Sequence, residues 1–135
     1  MAVTATPVFA QAQRVAMAVC TAAKTTMNDA ANAVLLATAG ANGSLVTTLT
    51  AIPRATVTAT QCQLYVSGDG GTTLNLVQTM LMPAYTLAQT TANAATDFGF
   101  SDYAPLRLGP NDRLYVAIGV ALAGGISFRA AVQDF

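Results

Sequence analysis

Hydrophobic and polar residues alternate with period two along much of the chain, the pattern of strands that bury one face. Residues 113–122 put Leu114, Val116, Ile118, Val120 and Leu122 on one face and Tyr115, Ala117, Gly119 and Ala121 on the other. Residues 126–133 alternate Ile126, Phe128, Ala130 and Val132 with Ser127, Arg129, Ala131 and Gln133. Residues 61–67 set Cys62, Leu64 and Val66 against Gln61, Gln63, Tyr65 and Ser67. Residues 14–20 set Val15, Met17 and Val19 against Arg14, Ala16, Ala18 and Cys20.

The stretch 34–82 organises the rest. Its strands are joined by two glycine turns, Gly40-Ala41-Asn42-Gly43 and Gly68-Asp69-Gly70-Gly71, whose residues tolerate positive φ. It therefore reads as a hairpin or meander. Residues 33–39 and 44–52 are apolar or β-branched runs that favour strand, and at Pro53 the second ends or becomes an edge. In residues 72–82, Leu74, Leu76, Met80 and Met82 share a parity that Gln78 breaks, which marks a bulge or a strand that crosses from one environment to another. The turn Ala123-Gly124-Gly125 folds the last two strands into a C-terminal β-hairpin.

Between these strands the signals are weaker. Residues 21–32 form a polar loop with its turn at Asn28-Asp29, or a short helix. Residues 84–96 suit strand, loop or a helical turn. Residues 97–103 form an aromatic loop carrying Phe98, Phe100 and Tyr103. The sum is seven to nine strands with no sustained helical period. An all-β, antiparallel β-sandwich follows, a jelly roll being one form of it and an up-and-down barrel the runner-up. Residues 1–13 read as a flexible or extended N-terminal arm, and residues 14–135 as a single sandwich domain.

Composition narrows the chemistry. Charged residues make up 9% of the chain, against a typical value of about 25%. Six bases balance six acids, all of the acids are Asp, and His is absent. A scattered, balanced charge lacks the basic patch that nucleic acid or an anionic membrane surface selects, so neither is expected as a partner. The same low charge favours self-association. Without His the usual general base is missing, and no Ser lies in a Gly-x-Ser-x-Gly setting. Cys20 and Cys62 have no basic neighbour in sequence and do not make a disulfide framework, and Cys62, on the apolar parity of its strand, reads as a free buried thiol. Metal and cofactor sites are not expected. Asp97 and Asp102, flanking the aromatic loop, are the one carboxylate pair to inspect.

Contact chemistry is the better reading. Tyr is enriched at protein interfaces. Tyr65 and Tyr115 lie mid-strand beside small or polar residues, and Tyr103 lies in the aromatic loop. With Gln61 and Gln63 on the outer parity of residues 61–67, and Arg129 on the small-residue face of residues 126–133, they form the candidate interface.

Three segments carry a family resemblance: Ala-Gly-Ala-Asn-Gly-Ser at 39–44, Gln-Leu-Tyr-Val-Ser-Gly-Asp-Gly-Gly-Thr-Thr at 63–73, and Leu-Gly-Pro-Asn-Asp-Arg-Leu-Tyr-Val-Ala at 108–117. Together they resemble small β-sandwich virion structural proteins of tailed bacteriophages, of the capsid decoration or cement type, over residues 34–135. The resemblance carries no active-site residues. It implies a copy-rich, non-enzymatic protein made in the host cytoplasm and placed on the capsid surface. There it would bind the major capsid protein and itself, often as a trimer, and stabilise the shell. A tail, neck or baseplate protein and a glycan-binding capsid spike are the alternatives.

Overall fold

The computed structural model describes residues 9–27 and 29–135, and among these it contains strands, turns and loops but no helix. Nine strands run in chain order: β1 (Ala12–Cys20), β2 (Val34–Thr38), β3 (Ser44–Pro53), β4 (Thr60–Ser67), β5 (Asn75–Met82), β6 (Thr96–Asp97), β7 (Leu106–Leu108), β8 (Arg113–Ile118) and β9 (Ile126–Asp134). They form two antiparallel sheets, consistent with the expected β-sandwich. Sheet A has the order β1-β9-β3-β6, with β7 also pairing β3; sheet B has the order β2-β8-β4-β5. Residues 1–8 of the expected arm and Asn28 of the expected turn lie outside the described residues, while residues 12 and 13 belong to β1.

The core lies between the sheets. Val46, Leu49 and Ala51 of β3 and Ile126, Phe128, Ala130 and Val132 of β9 meet Cys62 and Leu64 of β4 and Leu114, Val116 and Ile118 of β8. The Phe98 ring packs on Phe128 at 6.4 Å between centroids, tilted by 51°, a favourable aromatic geometry. In β1 the small side chains Ala16 and Cys20 face the core, and the larger Val15, Met17 and Val19 face outward.

Topology departs from the sequence reading in two places. The last two strands are not a hairpin: β8 pairs β2 and β4 in sheet B, whereas β9 pairs β1 and β3 in sheet A. The reason lies at the end of β8. The Ile118 carbonyl accepts the Lys24 N–H at 2.7 Å, the Val120 N–H turns to the Thr60 hydroxyl at 3.0 Å, and Leu122 N–H bonds the Thr21 carbonyl at 3.0 Å. The chain thus leaves the ladder four residues early and crosses to the other sheet. Likewise the turn at 40–43 links β2 of sheet B to β3 of sheet A, so the 34–82 block is not a meander. Gly43 there has φ +89°, and a Cβ would stand 2.7 Å from the Leu108 carbonyl oxygen, so only glycine fits. The 68–71 turn does close a true pair, β4 with β5. The expected irregularity near Gln78 is a shift of register: Leu64 pairs Gln78 while Tyr65 pairs Leu76, leaving Val77 as the extra residue.

Candidate interaction surfaces

The two sheets present different outer faces. The centre of sheet B is covered. Residues 21–27 and 29–33 form a strap against it: Ala23 bridges Ile118, Lys24 stands over the Tyr65 ring, and Ala33 and Tyr115 pack on the buried cluster Tyr65, Leu74 and Ala117. The strap is held by Lys24, whose side chain has no solvent exposure. Its ammonium donates to the Asp29 carbonyl (2.6 Å), Asp29 Oδ1 (2.9 Å) and the Ala31 carbonyl (3.0 Å). Asp29 also accepts from the Thr26 hydroxyl and the Ala31 N–H. With those donors, Lys24 foremost, its carboxyl is lowered to about 2.

That strap decides the fate of four expected interface residues. Tyr65 is fully buried, its hydroxyl donating to Gln63 Oε1 at 2.7 Å; Gln63 is buried too and donates through Nε2 to Gln61 Oε1 at 3.0 Å and the Lys24 carbonyl at 3.5 Å. Neither Tyr65 nor Gln63 is available to a neighbour, because both faces of β4 are covered rather than one. Gln61 and Tyr115 are half-buried at the margin of the same cluster. The Tyr115 hydroxyl lies where a Cβ at Gly71 would be, and Gly71 has φ +96°. Burial, with the Asp29 charge nearby, raises the Tyr65 phenol.

Sheet A is open. Pairing sets Met17 beside Arg129, Arg129 beside Thr50 and Thr50 beside Asp97, in one row across β1, β9, β3 and β6. The neighbouring row is Val19, Ser127 and Ile52. On the other side Val15 and Ala131 lead to Thr48. Val15 is 52% exposed, Met17 65% and Val19 38%, and Ile52 is exposed too. A cleft of about 230 Å³ opens beside them, lined by Gln13, Val15, Thr47, Ala131 and Gln133 among others. It sits where β3 carries an extra residue between Val46 and Thr48. The pattern in residues 14–20 already marked this stripe; what it lacked was a statement of which face turns outward.

Charge on sheet A is sparse. Arg129 and Arg107 are exposed, and among the described residues neither forms an ion pair. Arg14, by contrast, is spent at the sandwich corner, its Nε 2.8 Å from Asp134 Oδ2 and a terminal nitrogen donating to the Thr38 carbonyl at 2.7 Å. The Ser44 hydroxyl bonds the same carboxylate. Arg14 and Ser44 hold Asp134 below the usual carboxylate range.

The remaining expected residues divide. Tyr103 is 99% exposed. Asp97 is bound to its own loop, accepting the Gly99 N–H at 2.8 Å. No hydrogen bond joins it to Asp102, and among the described residues no group of three or more His, Cys, Asp or Glu side chains converges. Cys20 and Cys62 are free and buried, and burial pushes both thiols up to about 12. A second apolar exposure lies on edge strand β5, through Leu76, Val77 and Leu81. In comparisons with protein-family models, curated proteins and solved structures, nothing matches this chain.

Proposed function

We propose that this chain is a non-enzymatic structural protein of a phage virion, a decoration or cement protein that binds the major capsid protein shell from outside and stabilises it. The observation that carries the reading is the contrast between the sheets. The centre of sheet B is covered by its strap, with Leu35 and Leu81 exposed only at its two edge strands, whereas sheet A offers a face bearing Val15, Met17, Val19 and Ile52 with few charges. Contiguous exposed apolar surface of this kind marks sites of protein association. Small and β-branched side chains lose little rotamer freedom when a neighbour covers them. The strand order supports the same reading. With β6 and β7 sharing one position beside β3, the orders β1-β9-β3-β6/β7 and β2-β8-β4-β5 are those expected of a jelly roll, an architecture viral capsid proteins use.

Co-sedimentation with capsid shells tests the proposal. Wild type should pellet with shells assembled from the major capsid protein, and Val15→Ser/Met17→Ser should not. Copy number per virion is the second readout. Hundreds of copies fit a decoration protein, and a handful or a single ring fits a tail, neck or baseplate component. Tyr103, exposed at the tip of its loop, favours one further reading, a glycan-binding spike. Binding on a glycan array that disappears in Tyr103→Ala would support that reading, and a silent array would remove it.

A further inference from the structure

The charges on the open face of sheet A are arranged to complement themselves. Arg129, Thr50 and Asp97 occupy one row on adjacent strands β9, β3 and β6. Strands are about 4.8 Å apart, so Arg129 and Asp97 flank Thr50 at equal and opposite offsets. All three point outward, because their sequence neighbours Phe128, Ala130, Leu49, Ala51, Thr96 and Phe98 are buried. Both charges are exposed, and among the described residues neither forms an ion pair.

We propose that the β9-β3-β6 part of the outer face of sheet A docks a second copy of this chain about a two-fold axis running along β3, which sets Arg129 of each copy against Asp97 of the other and leaves Val15, Met17 and Val19 of β1 outside the overlap, free for the shell. This deepens the structural reading above and rests on it. An isologous face must be complementary to itself, and the row restricts the axes that satisfy this. A two-fold along β3 exchanges left and right about Thr50 and so brings opposite charges together twice. An axis along β9 stacks Arg129 on Arg129. An axis perpendicular to the strands at the same row stacks Arg129 on Arg129 and Asp97 on Asp97. Like charges in contact at an interface are strongly disfavoured, and of these three axes only the one along β3 pairs opposite charges.

The neighbouring rows agree with that choice. Along the β3 axis Ile52 meets Ile52 and Leu45 meets Leu45. Arg107, paired with Leu45, falls opposite Gln133, which is Leu45's partner on the other side. No like charges coincide. Two sheets stacked this way keep their strands aligned, within about 30°. The expected assembly unit is a dimer, in place of the trimer that the family resemblance implies.

Analytical ultracentrifugation of the full chain over a concentration series tests this, with charge reversal. Wild type should be a dimer. Arg129→Asp and Asp97→Arg should each raise the dimer Kd at least tenfold, and raised salt should weaken the wild-type dimer. An equimolar mixture of the two variants should recover a dimer, read as the heterodimer by native mass spectrometry, because both of its contacts again join Arg to Asp. Asp97 also supports the Gly99 turn. If Asp97→Arg unfolds, Asp97→Asn, which keeps the Oδ1 acceptor, should weaken the dimer as Arg129→Gln does. A monomeric wild type overturns the proposal. So does a dimer indifferent to Arg129→Asp, or a mixture of folded variants that stays monomeric. Shell binding by the Arg129→Asp protein is scored separately. Binding without dimerisation leaves the virion reading standing and isolates any failure to the axis.

Discussion

The ammonium of Lys24 lies 5.4 Å from the centre of the Tyr65 ring, and both side chains are withdrawn from solvent. A cation over an aromatic face gains most when it is desolvated. Here it also donates to three oxygens of the 29–31 turn, so the buried charge is satisfied. The pair is the clasp that closes the strap onto sheet B. Lys24→Ala should cost about 2–3 kcal/mol in urea unfolding, as expected when one partner of a buried charged network is removed. Asp29→Asn keeps the Oδ1 acceptor and should cost less than Asp29→Ala. Equal losses in those two variants would show that the charge, rather than the acceptor, holds the turn.

Two tyrosines that look alike in sequence should behave oppositely. Tyr65→Phe removes the donor to buried Gln63 Oε1 and should destabilise by about 1 kcal/mol. Tyr65→Ala opens a cavity under the strap and should cost about 3–5 kcal/mol. Tyr103→Ala, at a fully exposed position, should stay within about 0.5 kcal/mol of wild type. Denaturation midpoints of the three variants give the ordering directly.

The difference between Tyr65 and Tyr103 also marks how far the sequence could be read. Alternation located β1, β4, β8 and β9 and the all-β class, because period two records which residues share a face. It does not record what lies over that face. Residues 61–67 have the polar-apolar rhythm of a half-buried strand, yet Gln63 and Tyr65 are buried because a loop distant in sequence folds across them. Lys24 inside that loop looks like an ordinary solvated lysine; its three acceptors come from the same loop and carry no periodic signal. The C-terminal hairpin failed for a related reason. Ala123-Gly124-Gly125 suits any sharp reversal, and nothing local distinguishes a turn within one sheet from a crossing between two. The deciding bonds, from Lys24, Thr60 and Thr21, are long-range. The outward stripe of β1 was visible as a parity, and Arg129 as a candidate. The row that joins Arg129 to Asp97 exists only through pairing of β9, β3 and β6.

Stability should fall at both ends of the pH scale, for different groups. The Cys20 and Cys62 thiols are raised from 9.0 to about 12, chiefly by burial. A raised folded-state pKa means the folded chain keeps protons that the unfolded chain releases. Their contribution is intact below about pH 9 and is lost as pH climbs toward 12, by roughly 1.4 kcal/mol per thiol per pH unit. Tyr65, also raised, adds to the loss above its usual 10.0. At the acid end the signs reverse. Asp29 is lowered to about 2 by the Lys24 hydrogen bond first, Asp134 is lowered by Arg14, and Asp69 by the Thr73 N–H. Their stabilisation is present above the unfolded carboxylate range, near 3.9, and is lost as pH drops toward 2. Urea unfolding from pH 2 to 11 should show a plateau between about pH 5 and 8 with both flanks descending. Cys20→Ala/Cys62→Ala should flatten the alkaline flank alone.

Substitutions on the two sides of sheet A should separate folding from assembly. Phe128 faces the core of β9 and packs on Phe98. Phe128→Ala should cost about 3–5 kcal/mol, the loss of a buried aromatic ring plus the cavity it leaves. Met17 stands one strand away and points outward at 65% exposure. Within an isolated chain it has little packing to lose, so Met17→Ser should change the unfolding free energy of dilute protein by less than about 0.5 kcal/mol. At assembly concentrations the two should exchange importance. A side chain that an interface covers contributes to association by the area it removes from water, about 25 cal/mol per Å². Met17→Ser should therefore weaken shell binding while the urea midpoint of dilute protein stays put. If Met17→Ser instead lowers that midpoint as much as Phe128→Ala does, β1 is held by its own outward stripe, and the open face of sheet A is structure rather than surface for a partner.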